Sequence, residues 1–252
     1  MNIGLQLWSI FQDFRGQFEF ALELAQKAGY QSVELAGGVY GDTPAHTKQL
    51  LEKYNLKPVG AHVGLGRFEN NFDEELDFAV KVGYDMIVCP GMEINSKDDV
   101  LRAAAILEAC AQKAAKEGVG VGYHIHSNEF VKFDGKYAID ILLENAPSIK
   151  LQPDVFWIVR GGVDPVSYLK QFENTGRICN IHAKEISADG TSNAYIGQGV
   201  IDFKGIAKMF PPCTYTYIVE QEEYSGDHLE GLIESYKGMK EVVQEVPARE
   251  GV

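Results

Sequence analysis

One phrase, used twice, constrains this chain most. Lys27-Ala-Gly-Tyr-Gln-Ser-Val-Glu-Leu35 and Lys81-Val-Gly-Tyr-Asp-Met-Ile-Val-Cys89 each leave a helix end through a glycine and a tyrosine and enter a short, mostly apolar run. Glycine is favoured just past a helix end because its φ can turn positive, and a short apolar run bounded in this way reads as a buried strand. The same alternation extends along the whole chain. It predicts strands at 3–8, 32–35, 57–63, 86–90, 119–125, 149–154, 177–184 and 215–221. Between and after them it predicts helices at 17–27, 44–54, 73–82, 98–116, 137–144, 164–172, 203–210 and 227–244.

Eight strand–helix units in 252 residues leave only short loops. Strict alternation of this kind requires parallel strands, and eight units favour a closed barrel over an open doubly wound sheet. No GxGxxG follows the first strand, and Gly-rich phosphate loops are absent elsewhere. No Ser/Pro/Gly tract divides the chain. The expected fold is therefore α/β, a single (β/α)8 TIM barrel over residues 1–246, with a short frayed tail at 247–252.

Composition narrows the function classes. A net charge of −13 argues against binding a nucleic-acid backbone, which needs a basic face. No apolar run reaches 18 residues, so no membrane-spanning helix is expected, and the start of the chain lacks the pattern of a secretory signal. Four cysteines without CxxC spacing, each in an apolar or strand-like setting, read as small buried hydrophobes in a reducing cytoplasm. The expected partner is a small molecule, with neither nucleic acid nor membrane, and a homo-oligomer is compatible with the sequence.

Polar residues at the C-terminal ends of barrel strands converge on one mouth. Here they are Gln6 and Trp8, Glu34, His62, His124 with His126 and Glu129, Asp154, His182 with Lys184, and Glu220 with Glu222. Side chains alternate along a strand, so His124 and His126 share one face. A carboxylate such as Glu220, in Tyr217-Ile-Val-Glu220, needs a cation or strong donors beside it. A divalent metal would satisfy several of these groups at once.

This arrangement resembles the xylose isomerase-like TIM-barrel superfamily, which includes sugar phosphate isomerases and epimerases. Tyr123-His-Ile-His-Ser-Asn-Glu-Phe130 is similar to its Tyr-His-Asn-His-x-x-Glu-Phe signature. Ile181-His-Ala-Lys184 and Val219-Glu-Gln221 are similar to its seventh- and eighth-strand motifs, and Gly197-Gln-Gly199 to the loop between them. The resemblance implies one divalent metal ion held by Glu129, Asp154, His182 and Glu220, with His124 or His126 as alternatives to Glu129. A hard, oxygen-rich set suits Mn2+, Mg2+ or Co2+ and admits Zn2+.

The implied enzyme is a metal-dependent sugar or sugar phosphate isomerase or epimerase that removes a proton α to the carbonyl of a keto-sugar or cyclitol. An inosose-type dehydratase or lyase shares that step, and a non-catalytic sugar-binding barrel is the alternative from another class. Glu129 and Glu220 are candidates for the acid–base pair, Lys184 for a donor to the developing oxyanion, and His126 for orienting a hydroxyl or a carboxylate. His62, His124, Trp8 and Glu34 are candidate substrate contacts at the mouth, and Arg160 a grip for a phosphate or carboxylate. Two positions depart from the pattern. Ile125 replaces an Asn, and Trp157 stands where related keto-sugar epimerases carry a His. The substrate therefore differs, or Trp157 stacks on a sugar face. The DNA-repair branch, endonuclease IV, needs further His ligands; His62 fits one of them, but Trp157 removes another, and the acidic balance opposes DNA binding.

Overall fold

The computed structural model of the chain describes residues 3–11, 17–36 and 43–246. The tail expected at 247–252 lies outside the described residues. Eight strands form one sheet: β1 (Ile3–Gln6), β2 (Ser32–Leu35), β3 (Lys57–His62), β4 (Met86–Cys89), β5 (Gly120–His124), β6 (Lys150–Gln152), β7 (Ile181–Ala183) and β8 (Tyr217–Val219). Their hydrogen-bonded order is β6-β5-β4-β3-β2-β1-β8-β7, every pair parallel. The seam between β6 and β7 is closed by bridges at Leu151–Ile178 and Asp154–His182. The molecule is thus a single-domain (β/α)8 TIM barrel, as the alternation predicts. The seam strands are shorter than expected: Pro153 has no N–H to give the ladder, and only its carbonyl is used, by His182 N at 2.9 Å.

Among the described residues, eight of the helices follow the strands and wrap the sheet: α1 (Phe18–Ala28), α2 (Pro44–Lys53), α3 (Phe72–Val82), α4 (Lys97–Ala114), α5 (Ala138–Asn145), α6 (Pro165–Leu169), α7 (Phe203–Met209) and α8 (His228–Glu245). The repeated phrase behaves as read: α1 and α3 stop at Gly29 and Gly83, with φ of 99° and 97°. α6 is shorter than expected because its last turn tightens into a 3-10 segment, Lys170–Phe172. Short helices at Trp8–Phe11, Leu65–Asn70 and Val155–Arg160 follow β1, β3 and β6 and were not signalled by periodicity.

Alternation sorts the strand residues. Leu5, Val33, Ala61, Ile87, Val121, Leu151, Ile181 and Val219 are fully or almost fully buried in the apolar shell beneath the helices. The alternate positions face the barrel axis, and towards the C-terminal ends these are polar. Cys89 and Cys110 are buried as expected and Cys179 is half-buried, but Cys213 is exposed. It lies on the turn that ties Thr214 N and Tyr215 N to Pro211 O, before β8 begins. Among the described residues no helix is long and apolar enough to cross a membrane.

Candidate metal centre and substrate cavity

Parity along four consecutive strands brings His124, Asp154, His182 and Glu220 together. One potential ligand atom from each lies within 4.8 Å of the others, and all four residues are buried. Asp154 shows how the local chain builds this site. It is the N-cap of the helix Val155–Arg160, and its Oδ1 accepts the Trp157 N–H at 3.1 Å. Its Oδ2 is buried without any hydrogen-bond partner and stands 4.0 Å from His182 Nδ1. Leaving a buried carboxylate oxygen unpaired is costly, and burial pushes the Asp154 carboxyl up to about 7.

The imidazoles are oriented from below by Glu34, which is 0% exposed. Its Oε2 accepts from His182 Nε2 at 2.7 Å and from Gln6 Nε2 at 2.7 Å, while its Oε1 accepts from Gln152 Nε2 at 2.7 Å. Gln152 Oε1 in turn accepts from His62 Nε2 at 2.7 Å and His124 Nδ1 at 3.0 Å. These acceptors fix the tautomers, because an oxygen opposite a ring nitrogen requires the proton there. His124 Nε2 is left with a free lone pair. His182 Nδ1 is 2.9 Å from Glu220 Oε2, so His182 faces a carboxylate from each nitrogen. Burial opposes its charge, but Glu34 and Glu220 outweigh burial and push the His182 pKa up to about 10. Burial would also raise Glu34, yet the His62 and His182 charges hold its carboxyl well below the usual range. Room for that carboxylate comes from Gly60, its register partner on β3, where a Cβ would stand 3.2 Å from Glu34 Oε1.

Above the group opens a cavity of about 370 Å³, lined by Trp8, His62, Pro90, His126, Glu220 and Glu222 among others. Lys184, 1% exposed, lies behind two of these lining residues, with its ammonium 3.4 Å from Glu220 Oε1 and 2.7 Å from Glu222 Oε2. Phe156 and Trp157 cover the ammonium, their ring centroids 4.9 and 5.0 Å away. Burial disfavours the charge, but Glu220, Asp154 and Glu222 raise the lysine's pKa. Burial also lowers His126 to about 4, which leaves a neutral imidazole facing the cavity at physiological pH. Its ring lies edge-on to Trp157, with centroids 5.2 Å apart.

Three expectations need correcting. Glu129 is not brought to the group. Past His126 the chain turns into a 3-10 segment, Asn128–Phe130, which swings Glu129 back to accept from Tyr123 Oη at 2.7 Å and His126 N at 2.8 Å. Tyr123 is on the outward parity, so Glu129 ties down the loop, and the strand-five side chain within the group is His124. Glu34 is not a mouth residue either, since it pairs in register with Gly60, one layer below His62. Arg160 is exposed away from the cavity, with Nη1 on the carbonyls of Gly190 and Thr191 at 3.3 and 3.4 Å. Gln6, Gln152 and Glu222 carry no assigned role in the sequence reading. Gln6 and Glu222 share the inward parity of Trp8 and Glu220, and Gln152 that of Asp154; this was their only signal.

A closed parallel barrel with a buried histidine–carboxylate group at its C-terminal mouth defines a class of protein in which loops and strand ends build small-molecule sites. The chain belongs to the xylose isomerase-like TIM barrel family, whose sequence model matches residues 22–242. Similar solved structures include a sugar phosphate isomerase/epimerase from Parabacteroides distasonis ATCC 8503, with a TM-score of 0.80 at 23% identity, covering 96% of this chain and 94% of that one. The IOLI protein, solved with a bound zinc atom, is similar at a TM-score of 0.76 and 16% identity, covering 98% and 100%. An L-ribulose 3-epimerase is similar at 0.74 and 15%, covering 99% of each chain. No curated protein matches the chain in sequence.

Proposed function

We propose that this chain is a divalent-metal-dependent isomerase or epimerase of sugars or sugar phosphates, acting by proton transfer at the carbon next to a carbonyl. The observation that carries the reading is the unpartnered, buried Asp154 Oδ2 set among His124, His182 and Glu220. Those four side chains would hold the ion through His124 Nε2, Asp154 Oδ2, His182 Nδ1 and Glu220 Oε2. Two imidazoles and two carboxylates fit Zn2+, Mn2+ or Co2+ better than Mg2+, and the zinc in the IOLI structure supports the same preference. Bound there, the ion would supply Lewis-acid polarisation of a substrate carbonyl.

The chain's own groups supply the rest. Glu220 lines the cavity, and its Oε1 faces the Lys184 ammonium rather than His182, which supports a role as the base that takes the α-proton. Lys184 holds that carboxylate ionised and presents positive charge to the oxygen on which negative charge develops. His126, neutral and facing the cavity, can accept from a substrate hydroxyl, and Trp8 offers an apolar wall to a ring.

The test is metal analysis followed by incubation with a ketose and cyclitol panel in D2O, with and without chelator. The reading expects one bound ion per chain and chelator-sensitive deuterium uptake at the α-carbon. Loss of water from a cyclitol would redirect it to a dehydratase. Exchange that persists in a metal-stripped chain contradicts it.

A further inference from the structure

We propose that a groove beside the cavity is a second saccharide subsite, so that the substrate carries a further sugar residue linked to the ring that enters the cavity. This rests on the keto-sugar reading above and names its substrate class. The cavity, at about 370 Å³, is near the lower end of the size range of small-ligand sites and suits one sugar ring. The groove is larger, about 710 Å³, and is built by the loops after β4, β5 and β6. The two are contiguous along the chain: Pro90 and His126 line the cavity, and Met92 and Ser127 line the groove.

Its chemistry is that of a hydroxyl-rich ligand. The side chains of Asn95, Ser127 and Asn128 line it and make no hydrogen bond to any described residue. Beside them lies Val131, 43% exposed, which offers apolar surface to a ring face, with the buried Phe130 beneath it. An array of neutral donors and acceptors beside one exposed apolar side chain matches a sugar. A phosphate fits less well, because the one guanidinium among the described residues of this rim, Arg160, is accompanied by Glu93.

The groove is also held in shape before any ligand arrives. Asp99 Oδ2 accepts from Asn95 N at 3.0 Å and Ser96 N at 2.8 Å. Glu129 fixes the next wall through His126 N. Phe130 packs over Gly161 so closely that a Cβ there would lie 2.4 Å from its ring. Fixed walls lower the ordering cost of binding. The corrected places of Glu129 and Arg160 thereby acquire a purpose, one as a brace and the other as a rim residue.

The experiment is calorimetric titration of the metal-loaded full chain with lactulose, maltulose, D-fructose and fructose 6-phosphate. At least one disaccharide is expected to bind about tenfold more tightly than D-fructose. That preference should vanish in the double variant Asn95→Ala/Asn128→Ala and in Val131→Trp, both melting as the wild type does. Equal affinities for the ketose and its glycosides, no binding of either disaccharide, or a preference that survives both variants overturns the subsite. A preference for fructose 6-phosphate abolished by Arg160→Ala overturns it in favour of a phosphate site. Deuterium uptake reads the chemistry separately: groove-dependent disaccharide binding without exchange keeps the subsite and removes the isomerase reading.

Discussion

Asp154 performs two tasks with two oxygens, and a substitution can separate them. Asparagine caps a helix about as well as aspartate, so Asp154→Asn keeps the bond to Trp157 N through Oδ1 and removes the charge at the unpartnered position. In chelator the variant should melt within a few degrees of the wild type, while its affinity for Zn2+ or Mn2+ falls by at least about 100-fold, read by competition with a chromophoric chelator. Glu34 acts one step further out. Carboxylates that hold a ligating histidine typically contribute about 10–100-fold in metal affinity, so Glu34→Gln should weaken binding by that amount while excess metal restores turnover. Protonation gives a third prediction. Asp154, at about 7, lies above its unfolded value of about 3.9, so its contribution to the metal-free fold is complete below about pH 4 and is lost as pH rises through about 7. His182, raised to about 10, contributes below its unfolded pKa of about 6.5 and loses that contribution as pH climbs through about 10. A metal reverses both dependences, because each ligand must shed its proton to bind. Metal uptake should therefore release about two protons near pH 6 and about one near pH 8.5, measured by calorimetry in buffers of different ionisation heat. The melting-temperature gain on adding metal should grow between about pH 5 and about pH 8.

At the scale of elements, the sequence was legible where periodicity rules and silent where a turn decides. Strand ends singled out His62, His124, Asp154, His182 and Glu220, and among these His124, Asp154, His182 and Glu220 stand together while His62 stacks on His182. Parity carries no depth, so it could not distinguish Glu34, paired with Gly60, from His62 one layer above. Nor could it show that the strand ends at His124, and the resemblance therefore implied Glu129, with His124 or His126 as alternatives, where the geometry groups His124. The short helix Val155–Arg160 was equally hidden. Its six residues are too few for a 3.6-residue period to stand out, and it carries Arg160 away from the cavity. The packing of these loops is testable in its own right. Gly161→Ala would drive a methyl into Phe130, and overpacking of this kind costs about 1–3 kcal/mol. Denaturant unfolding should report that loss, with a melting point lower by roughly 2–4 °C per kcal/mol.

For the molecule as a whole, the barrel was readable because eight strand–helix units of similar length admit few arrangements. The seam between β6 and β7 was not, since a proline inside an expected strand can end it or only interrupt its ladder. Closure there also sets the site: the bridge Asp154–His182 is at once the last rung of the barrel and the contact between two of the four grouped residues. Fold and proposed chemistry thus depend on the same join. The most direct measurement is anomalous diffraction from crystals of the chain soaked in Zn2+ or Mn2+. The account predicts one strong peak at about 2.0–2.2 Å from His124 Nε2, Asp154 Oδ2, His182 Nδ1 and Glu220 Oε2. A peak held by other residues, or none at this position under saturating metal, would contradict it.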